Sequence, residues 1–286
     1  MNAADRRALL NEANEASVET RTVLGLDEIA PLDIYKVSQM MGLKVRFLDV
    51  SMEGFYQRSK PPRILLSAHR PIGRKAFTCA HEVGHHVFGH GSTMDELQQD
   101  ERAQSDQPNE VLANGFAGFM LMPPLGIRRA FATRGWKADT ATPEQILTVA
   151  TEFGVGYGTL LPHLHRALRQ LSKDSYTALE KHTPQSIRRS LLEDFSLKGL
   201  AIVDENSLNE AVELEMEHGL LIPENAVVQG VALGAVGLDD GGRQLFRAMR
   251  RGTASILIEN HKIEARVWPT RYVGMAAHRY LEDPDD

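Results

Sequence analysis

The hydrophobic period of the chain changes near Asp194. Before that point apolar residues recur at helical spacing; after it they come in short strand-like runs with glycines between them. The break marks an α+β chain, with helices and strands segregated along the sequence. A length of 286 residues favours two domains at about 150 residues each. The punctuation places an N-terminal domain over 1–124, a helical segment over 125–194 and a small, mainly β C-terminal domain over 195–286.

The N-terminal part reads in detail. Asp5 to Val23 is a polar helix, and Pro31 sits at the start of a second helix carrying Ile34, Val37, Met40 and Met41, stopped by Gly42. Leu43 to Val50 alternates as a half-buried strand, with Val45 and Phe47 on one face. Gly54 marks a turn before short strands over Phe55 to Arg58 and Ile64 to Ser67. Arg74 to Phe88 is a strong helix, ended by Gly89 and Gly91. Ser92 to Asn109 is polar and acidic, hence a loop, and Glu110 to Met122 is a helix stopped by Pro123 and Pro124.

Leu125 to Leu192 is mostly helical. Thr142-Pro143-Glu144 opens a helix faced by Ile146, Val149, Ala150 and Phe153; Gly154 to Gly156 is a turn, and Leu160 to Leu171 is the next helix. Strands follow over Gly199–Val203, Val227–Val236, Gln244–Met249, Ser255–Glu259 and Ile263–Val267.

Composition excludes several function classes. The 32 Lys+Arg against 38 Asp+Glu give a net charge of −6, which argues against a whole-protein nucleic-acid clamp. The single cysteine, Cys79, rules out a disulfide framework and any metal site needing two cysteines from one chain. The N-terminus has no signal-like apolar core, and no run of about 18 apolar residues is evident. A cytoplasmic protein without a membrane partner is the expectation.

The chemistry concentrates at His81-Glu82-Val83-Gly84-His85, an HExxH run inside a helix. Residues four apart share a helix face, so both imidazoles can reach one metal ion, with Glu82 beside it to act on a water. Zinc suits such a pair, and a carboxylate next to it can take a proton during attack on a carbonyl. Phe77, Ala80, Gly84, Val87 and Phe88 give the helix an apolar backing.

A third ligand is needed, and the acidic candidates are Asp95, Glu96, Asp100, Glu101, Asp106 and Glu110. Glu110 stands out because it starts a helix whose Ala113, Asn114 and Ala117 share its face, small enough for close packing on the HExxH helix. A carboxylate at a helix N-terminus also simply favours the dipole. His86 and His90 are likewise four apart but lack a following Glu, so they read as residues that flank the ligands or support them from behind, with surface histidines as the alternative. Cys79 reads as a small buried hydrophobe, with a reactive thiol as the other reading.

The run Arg74 to His85, the run Glu110 to Ala117 and the Leu121-Met122-Pro123 that follows resemble the metallopeptidases typified by the ImmA antirepressor and the IrrE radiation-response regulator. The segment Met41 to Val45 and the turn at Gly54 fit the same family, and the resemblance covers about residues 30 to 125. It implies a zincin-like domain, Zn2+ as cofactor, His81, His85 and Glu110 as ligands and Glu82 as general base. The implied activity is site-specific cleavage of a DNA-binding repressor in phage, mobile-element or stress circuits. Two departures are Cys79, where an aliphatic residue is usual, and the long acidic loop from Gly91 to Asn109.

A zincin cleft binds its peptide as an added strand. Gly54 to Ser67 is the candidate edge, with Phe55 and Tyr56 as substrate contacts and Tyr56 also as an oxyanion donor. Pro143 to Leu168 has the outline of a helix-turn-helix, with Arg166, Arg169 and Lys173 near its end; it is either a DNA contact or a helical support. The C-terminal domain is a sensor, a docking platform or an inhibitory cover, with basic spots at Arg250-Arg251 and Arg266 to Arg271. The competing function is a regulator or toxin-antitoxin component that acts by binding, its zinc structural and closed by a ligand such as His86 or Glu101. A metal-free scaffold with a degenerate motif is a third reading.

Overall fold

The computed structural model describes residues 1–92, 107–192 and 196–281. Asp95, Glu96, Asp100, Glu101 and Asp106 lie outside the described residues, as does the texture change at Asp194. The chain divides into two compact units. One comprises Met1–Gly126 and Arg271–Ala277, and the other Ile127–Thr270 with the chain from His278 onward.

The first unit is built around a small sheet. Strand β1 (Lys44–Leu48) buries Val45 and Phe47 while its alternate residues face out. It pairs in parallel with β3 (Arg63–Ser67), which pairs antiparallel with β2 (Gly54–Gln57). The order is β12-β1-β3-β2, so β2 is an edge strand, and the other edge is the two-residue β12 (Gly274–Met275). Helix α2 (Ile34–Met40) starts later than the proline suggested, because Asp33 caps it by accepting from the Tyr35 and Lys36 amides.

Helix α3 (Ile72–Val87) carries the HExxH run and is buried on most of its surface. Gly54 of β2 meets it so closely that an added Cβ would lie 2.8 Å from Thr78 Cγ2. Cys79 is fully buried, its Sγ 3.5 Å from Ser38 Oγ of α2. On another side lies α4 (Pro108–Leu121), seated where a Cβ on Gly84 would come within 3.0 Å of Ala113 Cα. Helix α1 (Ala3–Val23) packs on α4 in turn, at Gly115 against Ala13 and Leu10. Buried Arg21 ties this layer together by donating to the carbonyls of Asp27 (2.5 Å), Ala30 (3.0 Å) and Met120 (2.6 Å).

One stretch qualifies the absence of a spanning-length apolar run. Pro108–Thr133 reaches a mean hydropathy of 1.2, but 78% of its apolar window is buried in the protein. It is also two helices, α4 and α5 (Pro124–Thr133), broken at Met122-Pro123.

In the second unit, α6 (Pro143–Glu152) starts with a capping box between Thr142 and Gln145. A turn with Gly154 at φ 63° leads to α7 (Tyr157–Pro162), whose chain continues through His163–Ala167. Helices α8 (Lys173–Leu179) and α9 (Pro184–Leu191) follow. Buried Arg134 pairs with Glu152 at 2.8 Å and with Asp204 at 2.7 Å, joining the α6 end to the chain that follows β4 (Gly199–Ile202).

The strands of this unit form two four-stranded sheets, β4-β6-β9-β8 and β5-β11-β10-β7. Leu220, Ile222 and Phe246 of one and Val212, Ile256, Ile263 and Val267 of the other share one apolar core. Strands β5 (Ala211–Glu215) and β6 (His218–Ile222) are additional to those the sequence suggested. The expected run Val227–Val236 is instead two strands, β7 (Val227–Gln229) and β8 (Leu233–Leu238). Gly230 at φ 124° turns the chain between them, and they join different sheets. The remaining strands are β9 (Gln244–Ala248), β10 (Gly252–Ile258) and β11 (His261–Trp268).

Candidate metal centre

Helix α3 projects His81 and His85 from one face, and α4 brings Glu110 to the same point from its first turn. His81 Nε2 and His85 Nε2 are 3.0 Å apart. Glu110 Oε2 lies 3.4 Å from His81 Nε2, and Glu110 Oε1 lies 3.3 Å from His85 Nε2. Ligand atoms about 2.0–2.2 Å from a tetrahedral zinc stand about 3.3–3.6 Å apart. The two His–Glu spacings fall in that range and the 3.0 Å His–His spacing is a little shorter, so the three side chains are within reach of one divalent cation. Among the described residues, these three form the cluster of His, Cys, Asp and Glu side chains able to hold a metal. The His85 side chain is 2% exposed and those of His81 and Glu110 15%, so the site is open on the His81–Glu110 side.

The small residues explain why the two helices can share a site. With hydrogen alone at Gly84, Ala113 fits against α3, and Glu110 lies one turn before Ala113 on α4. Burial lowers the His81 pKa to about 4, helped by the neighbouring His85; Glu110 and Asn114 pull the other way. The imidazole is therefore neutral near neutral pH, the form that offers a lone pair to a metal. Burial also lowers His86 and His90.

The flanking histidines are placed differently from one another. His90 Nδ1 lies 2.9 Å from His85 Nδ1, the ring nitrogen on the far side from the cluster. His86 Nδ1 is 2.9 Å from the Tyr56 hydroxyl. Tyr56 is thus buried at 3% exposure and faces α3, whereas Phe55, the next residue on the pleated strand, is half-buried and faces the other way. Glu82 is buried at 4% exposure within the same helix. The sequence leaves the place of His90 open and does not indicate the Tyr56–His86 bond. Gly89 was a usable signal for the first, and nothing local signalled the second.

Residues 38–165 match the Peptidase_M78 family, described as the IrrE N-terminal-like domain. This match spans less than half of the chain. The IrrE N-terminal-like match contains all of α3 and α4, and therefore His81, Glu82, His85 and Glu110. It also runs past residue 125, where the sequence resemblance faded, through α5, α6 and α7. No curated protein matches the chain. Among solved structures, a Mycobacterium tuberculosis transcriptional regulator is similar at 19% identity and a TM-score of 0.36. That likeness covers 54% of this chain and 46% of the regulator, so the chain spans less than half the length of that protein.

Proposed function

We propose that this protein is a zinc-dependent endopeptidase with a zincin-like catalytic domain, cleaving a DNA-binding regulatory protein of the helix-turn-helix repressor class. The observation that carries the reading is the convergence of His81, His85 and Glu110 in a domain matched by a peptidase family. Two imidazoles and a carboxylate are a donor set that suits zinc, and three protein donors are the number that catalytic sites use. Bound there, zinc supplies Lewis acidity toward a scissile carbonyl and toward an attacking water.

The chain's own residues supply the rest. The Glu82 carboxylate takes the proton of the attacking water and passes it to the leaving amine nitrogen. The outer edge of β2 offers backbone N–H and C=O groups to an extended peptide, which then adds a strand to the sheet. The Tyr56–His86 hydrogen bond fastens that edge strand to α3, so the peptide lies in a fixed register against the ligands. Phe55 lies on the strand that receives the peptide and contributes a side-chain contact.

The test is Glu82→Gln in the full chain. It retains zinc and leaves the repressor's mass unchanged after mixing, whereas wild type yields two fragments by mass spectrometry. Cleavage by Glu82→Gln at the wild-type rate would remove Glu82 from the mechanism.

A second reading rests on α6, the Gly154 turn and α7, which together keep a helix-turn-helix outline. In that reading the protein acts by binding, and the zinc is structural. It is distinguished by a partner whose DNA occupancy changes while its mass does not.

A further inference from the structure

We propose that His90 is a positioning residue that fixes His85 as a metal ligand, and that the stop of helix α3 exists to deliver it. The inference rests on reading the cluster as a metal centre. Helix α3 ends at Val87, with Phe88 as its C-cap and Gly89 next at φ 68°. The Gly89 amide donates to the His86 carbonyl at 3.1 Å, and the His90 amide donates to the His85 carbonyl at 2.9 Å. Those two bonds are the Schellman arrangement, which folds the second residue past the cap back over the residue five positions earlier. Here the pair so opposed is His90 and His85. Where such caps commonly place an apolar contact, this one places two rings, with centroids 5.0 Å apart and Nδ1 atoms 2.9 Å apart. Phe88 stacks on the His90 ring, centroids 5.7 Å apart and planes 24° apart, and also meets buried Phe116 edge-on.

The bond has a direction set by what His85 must do. A ligand nitrogen needs a free lone pair, so His85 carries its proton on Nδ1 when Nε2 faces the cluster. His85 Nδ1–H then donates to the His90 Nδ1 lone pair, and His90 carries its own proton on Nε2. The bond holds the tautomer and the plane of His85 together, which is the role of the outer hydrogen-bond partners of metal-bound histidines. His90 therefore acts on the ligand through His85 Nδ1, while His85 Nε2 faces His81 and Glu110. The left-handed conformation at Gly89 is part of the same device, because a side chain there strains the turn that carries His90.

The experiment measures zinc affinity by competition with a chromophoric chelator, in the full chain, for wild type and the variants His90→Phe, His90→Asn and His81→Ala. His90→Phe keeps a ring of similar size without the acceptor, and zinc binding weakens about 10- to 100-fold. His90→Asn can place its Oδ1 where Nδ1 stood, and its affinity returns to within a few-fold of wild type. Gly89→Ala, which keeps His90 but strains its delivery, falls between them. Thermal melts of the metal-free proteins check that each variant is folded. Equal affinity in wild type and His90→Phe, or His90→Asn as weak as His90→Phe, overturns the positioning role while zinc binding by wild type leaves the metal-centre reading intact. Failure of wild type to bind zinc, or unchanged binding in His81→Ala, is the separate failure of the metal-centre reading.

Discussion

Replacing Gly84 with alanine sets two opposing effects against each other at the helix crossing that assembles the site. An alanine in a helix interior is favoured over glycine by about 0.8–1.0 kcal/mol. Against that, the new Cβ would lie 3.0 Å from Ala113 Cα, 3.2 Å from the Ala113 carbonyl oxygen and 3.3 Å from Phe116 Cβ. Two of those neighbours are backbone atoms of α4 and cannot swing aside; Ala113 and Phe116 are themselves fully buried. The helices must separate by a few tenths of an ångström, and overpacking of this kind costs about 1–3 kcal/mol. The net expectation is a loss of roughly 0–2 kcal/mol. Because Glu110 rides on α4 one turn before Ala113, the same shift withdraws one ligand from the other two, and zinc affinity falls roughly tenfold. Urea unfolding of the metal-free protein and chelator competition measure the two effects separately. A variant more stable than wild type by the full propensity gain, with unchanged zinc affinity, would show that α3 and α4 are not held at this distance.

Other perturbations test the surrounding structure. Arg21→Met leaves the buried carbonyls of Asp27, Ala30 and Met120 without their shared donor, and the first unit loses about 2–4 kcal/mol in urea unfolding; a change below about 0.5 kcal/mol contradicts the clamp. In the second unit, burial raises the Tyr157 hydroxyl to about 12, while its O–H donates to the Leu179 carbonyl at 2.8 Å. The unfolded chain ionises this group from about pH 10, so between about pH 10 and 12 the folded state holds the extra proton and stability falls as pH rises. Tyr157→Phe therefore shows a shallower alkaline loss of stability than wild type, and identical profiles would refute the assignment.

Much of the first unit was legible because its signals are local. The alternation of Val45 and Phe47, the glycine stops at Gly42 and Gly89, and the apolar helix around His81 each specify an element without help from distant residues. The small face of Ala113 and Ala117 announced a close helix contact, but its partner Gly84 emerges only once both helices exist. The rest depends on long-range pairing. The match of Arg46 and Phe47 with Met275 and Gly274 joins residues more than two hundred positions apart through a strand too short to have a period. Strand β5 carries a period-two signal, Val212 and Leu214 buried and Ala211, Glu213 and Glu215 half-buried, but β6 reads as a continuous apolar run. Gly230 disguised two strands as one, because the sequence does not say that they enter different sheets.

The most direct test of the account is the metal content of the purified full chain, by elemental analysis, beside His85→Ala and Glu110→Ala. The geometry predicts about one zinc per wild-type chain, lost or strongly weakened in both variants, because the donors come from separate helices and each is needed to close the site. Wild type that holds no metal after zinc is supplied at neutral pH, or variants that hold as much as wild type, would contradict the metal centre and the peptidase mechanism built on it.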